Sequence, residues 1–243
     1  CFVVTNQPVV ARNLCSMEEV REVHRKLETL LGKDGAYLDD IYVCPHHPDR
    51  GYPEENALYK IDCSCRKPKT GMIEAAARDY PVDLSESWII GDRTMDIQMG
   101  VNAGLATVLV RTGMGGRDGR FDVSPDFTFD ALDEAVAFII ERRPALLEKL
   151  APVVDAAAAR RGTSPYVITL GGQARSGKST LARLLSLALG KRGIPTRIVS
   201  LDNWLVGAPE RTEDMTVRGR YRYGDIERDI GRLLAGETIA PGR

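Results

Sequence analysis

The chain has 243 residues, 43% of them hydrophobic and 28% charged, which is an ordinary composition for one large or two small globular domains. No apolar run approaches the length of a membrane-spanning helix and no signal peptide is present, so a membrane protein is excluded and a cytoplasmic protein is predicted. The net charge of −1 is unevenly distributed, with −6 over residues 1–164 and +5 over residues 165–243, which indicates two modules with different partners.

Short apolar runs alternate with segments of helical periodicity over the first 140 residues. The predicted strands are 2–4, 41–43, 88–90 and 106–110, and the predicted helices are 16–32, 72–79, 96–104 and 130–140. Ser16 is a suitable N-cap for the first helix, and Glu19 completes a capping box with it. Strands that alternate with helices predict an α/β fold with a mostly parallel sheet in three layers.

The composition changes after residue 140. An alanine-rich segment, 144–164, is interpreted as a helical connector between a first domain, 1–143, and a second domain, 165–243. Strands at 166–170 and 197–201 and helices at 180–189 and 226–234 predict a second parallel three-layer sheet. The chain begins within an apolar strand without Met and ends in a loop, so each domain is expected to lack part of its fold.

The cysteine pattern favours metal binding over disulfides. The candidate ligands are Cys44, His46, Cys63 and Cys65, two close pairs on either side of a polar loop, 47–62. Thiolate and imidazole in a set of four are ligands that tetrahedral Zn²⁺ prefers, and four protein ligands leave no open position for water. A structural zinc site is therefore predicted; His47 in place of His46, or unrelated free thiols, are the alternatives.

Two cations, Arg66 and Lys67, directly follow the last candidate zinc ligand and precede Pro68. We interpret the zinc site as a clip that orders the polar loop and directs these cations toward a phosphate group.

A candidate magnesium carboxylate ends the third predicted strand. Asp92 follows Gly91 there, and Asp96 stands four residues further on. A strand-end aspartate followed by a helix N-cap is the alternative. The metal site is favoured by the polar residues expected at the same sheet edge, which are Thr5, Asn6, Arg66 and Lys67.

Residues 172–179 match the phosphate-binding pattern G-x-x-x-x-G-K-[ST] between a predicted strand and a predicted helix. In such a loop backbone N–H groups surround the phosphates, Lys178 reaches the β- and γ-phosphates, and Ser179 coordinates Mg²⁺. The predicted ATP-binding residues are Gly172, Gln173, Ala174, Arg175, Ser176, Gly177, Lys178, Ser179 and Thr180.

Two further features belong to this second domain. Asp202 ends the next predicted strand and is a candidate to orient Mg²⁺ or to act as a base toward a substrate hydroxyl, with a turn-capping aspartate as the alternative. If their segment is extended, Arg218, Arg220 and Arg222 share one face and bind a phosphorylated substrate; a solvated basic strip is the alternative.

The segments Val4-Thr5-Asn6-Gln7, Cys65-Arg66-Lys67-Pro68 and Gly91-Asp92-Arg93, with the Cys/His loop, resemble the haloacid dehalogenase (HAD) superfamily over residues 1–115. Within it they are similar to the zinc-loop D,D-heptose 1,7-bisphosphate phosphatases and histidinol phosphatases. The resemblance implies a Rossmann-like fold and an Mg²⁺-dependent phosphatase. It also implies the following roles: Thr5 holds the phosphoryl group, Asn6, Gln7 and Pro8 continue the substrate loop, Arg66 recognises the substrate, Lys67 balances charge, and Asp92 ligates Mg²⁺. Pro8 departs from the small residue usual at its position.

The same resemblance implies that the nucleophile, on an Asp-x-Asp motif, precedes residue 1. Phosphoaspartate chemistry requires that carboxylate, so the chain alone is not expected to turn over as a phosphatase. The second domain resembles the uridine kinase and phosphoribulokinase-like P-loop kinases through Gly172–Thr180, Ser200-Leu201-Asp202 and Leu233-Leu234-Ala235-Gly236.

The combined prediction is a bifunctional cytoplasmic enzyme of carbohydrate metabolism. One domain is a phosphomonoester phosphatase with Zn²⁺ and Mg²⁺, of the sugar bisphosphate class, and the other is an ATP-dependent small-molecule kinase. A polynucleotide kinase–phosphatase is an alternative, although the acidic first domain opposes binding to a nucleic acid. The second alternative is an active kinase joined to a dehalogenase-type docking domain that has lost its activity.

Overall fold

The structure is a computed structural model that describes residues 1–49, 51, 55–160 and 165–239. It divides into two compact units, Cys1–Ile140 and Glu141–Arg243, which are described separately. In the part of the chain that the structure describes, every helix is too short or too polar to cross a membrane.

The first unit alternates strands with helices, as the sequence pattern predicts. Its strands are β1 (Phe2–Asn6), β2 (Asp40–Cys44), β3 (Trp88–Gly91), β4 (Ala106–Val110) and β5 (Phe127–Phe129). Its α-helices are α1 (Met17–Lys33), α2 (Gly71–Asp79), α3 (Thr94–Ala103) and α4 (Leu132–Ala137), followed by a π-helical turn at Phe138–Arg142. The predicted strands and helices are therefore present with ends shifted by a few residues.

The predicted capping box begins α1. The Ser16 hydroxyl accepts a hydrogen bond from the Glu19 amide at 3.2 Å, and a Glu19 carboxylate oxygen accepts one from the Ser16 amide at 2.7 Å. Two of the N–H groups that the first turn leaves unpaired are thereby satisfied.

All strand pairs in the first unit are parallel, but they form two sheets rather than the single sheet expected. β1 pairs with β2, with Asn6 opposite Cys44, while β4 lies between β3 and β5. The Val4 carbonyl of β1 accepts a hydrogen bond from the Lys67 ammonium at 3.1 Å. Lys67 therefore connects the segment that follows the cysteine pair to β1.

The core of the first unit lies between the sheets and helices α2 and α3. Buried apolar side chains from both sheets and both helices meet there: Cys44, Met72, Ile73, Ile89 and Met99. One packed cluster thus holds β2 and β3 against α2 and α3. The polar groups at the ends of these strands and the starts of these helices form the candidate site.

The second unit is helical in the described residues. Its α-helices are α5 (Arg143–Ala159), α6 (Lys178–Lys191) and α7 (Tyr223–Leu234), and short 3₁₀ turns span Leu201–Trp204, Ala208–Glu210 and Arg218–Arg220. The segment expected to be a helical connector, 144–164, contains most of α5, and its residues 161–164 lie outside the described part. α5 packs against α6 within this unit.

The predicted strands 166–170 and 197–201 are wrong. Both segments lack ladder partners among the described residues, where the one bridge in this unit joins Leu205 and Tyr221. Val167 is 52% exposed and Ile198 is 40% exposed. An apolar run becomes a stable strand only when other strands are available to pair with it, and the described part of this unit has none. The three-layer sheet expected for the second domain is therefore not observed.

Candidate active site and zinc centre

The four predicted zinc ligands converge. The Cys44 and Cys63 sulfurs are 3.6 Å apart, the Cys63 and Cys65 sulfurs are 3.2 Å apart, and His46 Nδ1 is 3.3 Å from the Cys65 sulfur. All four ligand atoms lie within 4.8 Å of one another. Ligands about 2.0–2.3 Å from one zinc ion have separations of this order. The donor set and its geometry fit a structural zinc ion.

The neighbouring histidine serves a different purpose. His47 is buried, its amide donates to the Tyr59 carbonyl at 3.1 Å, and its Nδ1 accepts from the Asp49 amide at 3.2 Å. The structure therefore places His46 in the ligand set, while His47 fixes the fold of the loop.

Burial changes the pKa values of the candidate zinc ligands. It raises the pKa of the Cys44 and Cys65 thiols. At Cys63 burial also acts to raise the pKa, but hydrogen bonds from Cys65 and Cys44 outweigh it and lower the pKa. Burial lowers the pKa of His46, which keeps its imidazole neutral and able to bind metal. A bound cation would favour the thiolate forms that serve as ligands.

The zinc group lies beside the two predicted cations. The Arg66 guanidinium donates to the His46 carbonyl at 2.9 Å, which ties it to the ligand loop. The Gln7 amide donates to the carbonyl of the ligand Cys44 at 2.7 Å. Two of the candidate zinc ligands, Cys44 and His46, are thus hydrogen-bonded through their carbonyls to Gln7 and Arg66.

Lys67 is the centre of a polar network. Its ammonium donates to a carboxylate oxygen of Asp96 at 2.6 Å, and its amide donates to the Asn6 side chain at 3.1 Å. The side chains of Lys67 and Asp96 are only 14% and 8% exposed. Near the end of β1, the Thr5 hydroxyl accepts a hydrogen bond from the Gln7 side chain at 3.1 Å. The structure therefore brings Asn6, Lys67 and Asp96 together, and Thr5 precedes Asn6 in β1.

Asp96 lies in the first turn of α3, and its side chain packs directly against Gly91 at the end of β3. Its second carboxylate oxygen accepts from the Arg93 amide at 3.1 Å. A Cβ at Gly91 would overlap the Asp96 side chain, so glycine is required at the end of β3. Asp96 is thus held by Lys67 and by the backbone.

Asp92 is held differently, by the β4–β5 loop (residues 111–126). Its Oδ2 accepts from the Met114 amide at 2.8 Å, and its carbonyl accepts from the Gly116 amide at 2.8 Å. Mg²⁺ binds through one or two carboxylates and several waters, and a carboxylate at the end of a strand fits that preference. The sequence-based reasoning missed this loop, although its four glycines at 113, 115, 116 and 119 are a signal of an unusual backbone path.

In the second unit, the glycine-rich loop wraps the Lys178 ammonium. That ammonium donates to the Gly172 and Gln173 carbonyls at 3.0 and 2.5 Å. Gly172 and Gly177 have φ of +154° and +82°, and α6 begins directly afterwards. The loop and helix that the pattern predicts are present, whereas the strand predicted before them is not.

The other predicted residues of this unit are not arranged as expected. Asp202 is exposed in the 3₁₀ turn Leu201–Trp204 and does not end a strand. Arg218 and Arg220 lie in a 3₁₀ turn, where the Arg218 guanidinium is 5.2 Å from the centre of the Tyr223 ring. The extended strip with three arginines on one face is therefore wrong, because the chain turns within it.

The first unit belongs to the class of parallel α/β folds and carries an ion pair between Lys67 and Asp96 that is largely shielded from solvent. Residues 64–135 match the family model described as "HAD-hyrolase-like". A D-glycero-D-manno-heptose-1,7-bisphosphate 7-phosphatase of Thermosynechococcus vestitus is 38% identical over 146 residues, which cover 57% of this chain and 73% of the relative. The enzyme of the same name from Chlorobaculum tepidum is 35% identical, covering 58% and 72%.

The chain belongs to the HAD-like phosphatases of the D,D-heptose 1,7-bisphosphate phosphatase type. A D-glycero-beta-D-manno-heptose-1,7-bisphosphate 7-phosphatase of Photorhabdus laumondii is 42% identical over 45% of this chain, and the chain spans only 57% of that relative. Among solved structures, D,D-heptose 1,7-bisphosphate phosphatase from B. bronchiseptica, complexed with magnesium and phosphate, is 31% identical with a TM-score of 0.49. That match covers 58% of this chain and 74% of the solved one.

Proposed function

We propose that the first unit carries the phosphate-binding half of an Mg²⁺-dependent sugar bisphosphate phosphatase, and that a heptose 1,7-bisphosphate is its substrate. The observation that supports this proposal is the Lys67 network, in which the ammonium donates to the Asp96 carboxylate and the backbone amide donates to the Asn6 side chain. The names of the relatives support the substrate class.

Each side chain of the site has a role in this proposal. The Thr5 hydroxyl binds the phosphoryl oxygens, and the Lys67 ammonium neutralises their charge. The substrate loop continues through Asn6, Gln7 and Pro8. Asp92 would hold Mg²⁺, which supplies further positive charge to the phosphoryl group when bound. The zinc ion would fix the loop without taking part in the reaction, since all four positions are occupied by protein ligands. The carboxylate nucleophile belongs to the Asp-x-Asp motif implied by the resemblance.

Arg66 is the proposed determinant of substrate recognition. Replacing it with glutamine (Arg66→Gln) in the full-length protein is expected to lower kcat/KM for the heptose bisphosphate by about 10- to 100-fold, since one charge-assisted hydrogen bond is worth about 1.5–3 kcal/mol. The effect should be smaller for a monophosphate if Arg66 contacts the second phosphate. Release of inorganic phosphate is the measurement, and the zinc content of each variant is determined in parallel.

The matched control is Arg78→Gln, which removes an exposed arginine of α2 paired with Asp79. It is expected to leave kcat/KM unchanged. Equal activity of the Arg66→Gln variant and the control would overturn the role of Arg66. Failure of the unsubstituted full-length protein to hydrolyse any sugar bisphosphate would overturn the proposed function itself.

We propose as a second function that the 172–180 loop binds ATP for transfer of the γ-phosphoryl group to a small-molecule hydroxyl. The observation in favour is the loop around the Lys178 ammonium at the start of a 14-residue helix. The roles predicted for Ser179 as a Mg²⁺ ligand, for Asp202 as the base, and for the arginines 218, 220 and 222 as acceptor ligands belong to this proposal.

Nucleotide binding tests the second function directly. In calorimetric titrations with MgATP, Lys178→Ala is expected to weaken binding by at least about tenfold, because the ammonium contributes a charge-assisted bond to the phosphates. Lys191→Ala, at the far end of the same helix, is the matched control and should bind normally. The kinase proposal fails if the unmodified protein shows no heat of MgATP binding, or if both variants bind equally.

A further inference from the structure

The β4–β5 loop is attached to the start of α3 by one carboxylate. Asp118 Oδ1 accepts a hydrogen bond from the Thr94 amide at 2.7 Å, and its Oδ2 accepts from the Thr94 hydroxyl at 2.9 Å. The same hydroxyl accepts from the Phe121 amide at 3.2 Å. Three hydrogen bonds thus join residues separated by more than 20 positions.

This attachment is electrostatically favourable. Thr94 is the first residue of a ten-residue helix, whose N-terminal amides are unpaired within the helix and carry partial positive charge. Partial burial acts to raise the pKa of Asp118, but the hydrogen bonds from Thr94 outweigh it and hold the pKa below its usual value. Asp118 is therefore a carboxylate at neutral pH.

The attached loop is the one that holds Asp92. The Met114 amide donates a hydrogen bond to Oδ2 of Asp92, and the Gly116 amide donates one to the Asp92 carbonyl. Gly113 has a φ of +62°, and a Cβ there would overlap Asp92 Oδ2, so the backbone lies directly against the carboxylate. A small displacement of the loop would change the orientation of Asp92.

We propose that Asp118 is a positioning residue for Asp92. By fixing the loop on Thr94, it keeps the Met114 amide on Oδ2 and so presents Oδ1 of Asp92 to a divalent cation. This inference rests on the proposed function, in which Asp92 is the magnesium ligand. Residues that orient a metal ligand through hydrogen bonds typically change metal affinity by about 10- to 100-fold when they are removed.

The test measures binding of Mn²⁺ by electron paramagnetic resonance in the zinc-loaded full-length protein, without nucleotide or substrate. Asp118→Ala is expected to raise the Kd for Mn²⁺ about tenfold or more, and Asp118→Asn, which retains one acceptor oxygen, by less. Asp122→Asn, on the same loop and exposed, is the matched control and should leave the Kd unchanged. A separate measurement of KM for the substrate at saturating Mn²⁺ should show little change.

Two further variants keep the outcomes distinct. Asp92→Asn should abolish the binding; normal Mn²⁺ affinity in that variant would refute the metal role in the proposed function. Loss of binding in Asp92→Asn together with a normal Kd in Asp118→Ala would refute only the positioning role. If Asp118→Ala fails to fold, Thr94→Val decides, since it removes only the hydroxyl: a raised Kd supports the proposal and an unchanged Kd overturns it.

Discussion

Replacing Lys67 with methionine is expected to lower the free energy of unfolding of the first unit by about 3–5 kcal/mol. The largely shielded ammonium lies 2.6 Å from the buried Asp96 carboxylate, and the Val4 carbonyl also accepts a hydrogen bond from Lys67. Methionine has a similar length, so little of the loss comes from packing. It leaves a buried carboxylate with only the Arg93 amide as a described partner, and that carboxylate must either remain charged in the interior or take up a proton.

The measurement is denaturant unfolding followed through Trp88, which packs near Phe127 in the first unit. The chain has two tryptophans, so a Trp204→Phe background makes Trp88 the sole reporter. Lys69→Met is the matched control, because Lys69 pairs with Asp62 in a half-exposed ion pair, for which about 0–1 kcal/mol is expected.

A double variant separates the ion pair from other effects of Lys67. Adding Asp96→Asn to Lys67→Met removes the buried charge and should recover part of the lost stability. A Lys67→Met variant as stable as the Lys69→Met control would show that the pair does not stabilise the first unit.

The sequence was informative where a feature depends on the spacing of residues that are close together in the chain. The ligands Cys63 and Cys65 stand two positions apart, the capping box of Ser16 and Glu19 spans four residues, and each β-strand of the first unit that was predicted is a short apolar run. Patterns of this kind are set by the geometry of a helix turn, a strand or a metal site, so they can be interpreted without knowledge of the fold.

Contacts between distant segments could not be predicted in the same way. No spacing relates Asp118 to Thr94, whose pairing depends on how the β4–β5 loop returns to α3. The same limit explains the error at 166–170, where the apolar run was recognised but the partners it needs are not among the described residues. It also explains the arginines, since Arg218 and Arg220 share a face only if the backbone is extended, and it turns instead.

Loss of one zinc ligand is expected to have the largest effect on the site. Cys63→Ser should reduce the zinc content from about one ion per chain to near zero after dialysis, because the three remaining ligands bind zinc far less tightly than the complete set of four. Without the ion, the loop that contains His46 loses its anchor, and Arg66, which donates to the His46 carbonyl, loses its position. Affinity for a sugar bisphosphate should therefore fall together with zinc content.

Elemental analysis of the purified chain measures the metal, and the histidine pair supplies a stringent control. His46→Asn should lose zinc as Cys63→Ser does, whereas His47→Asn should retain it, because the His47 imidazole accepts from the Asp49 amide and lies outside the ligand set. Cys15→Ser should also retain zinc, since its thiol is not among the four converging groups. Full zinc content in Cys63→Ser, or equal loss in both histidine variants, would contradict the assigned ligands.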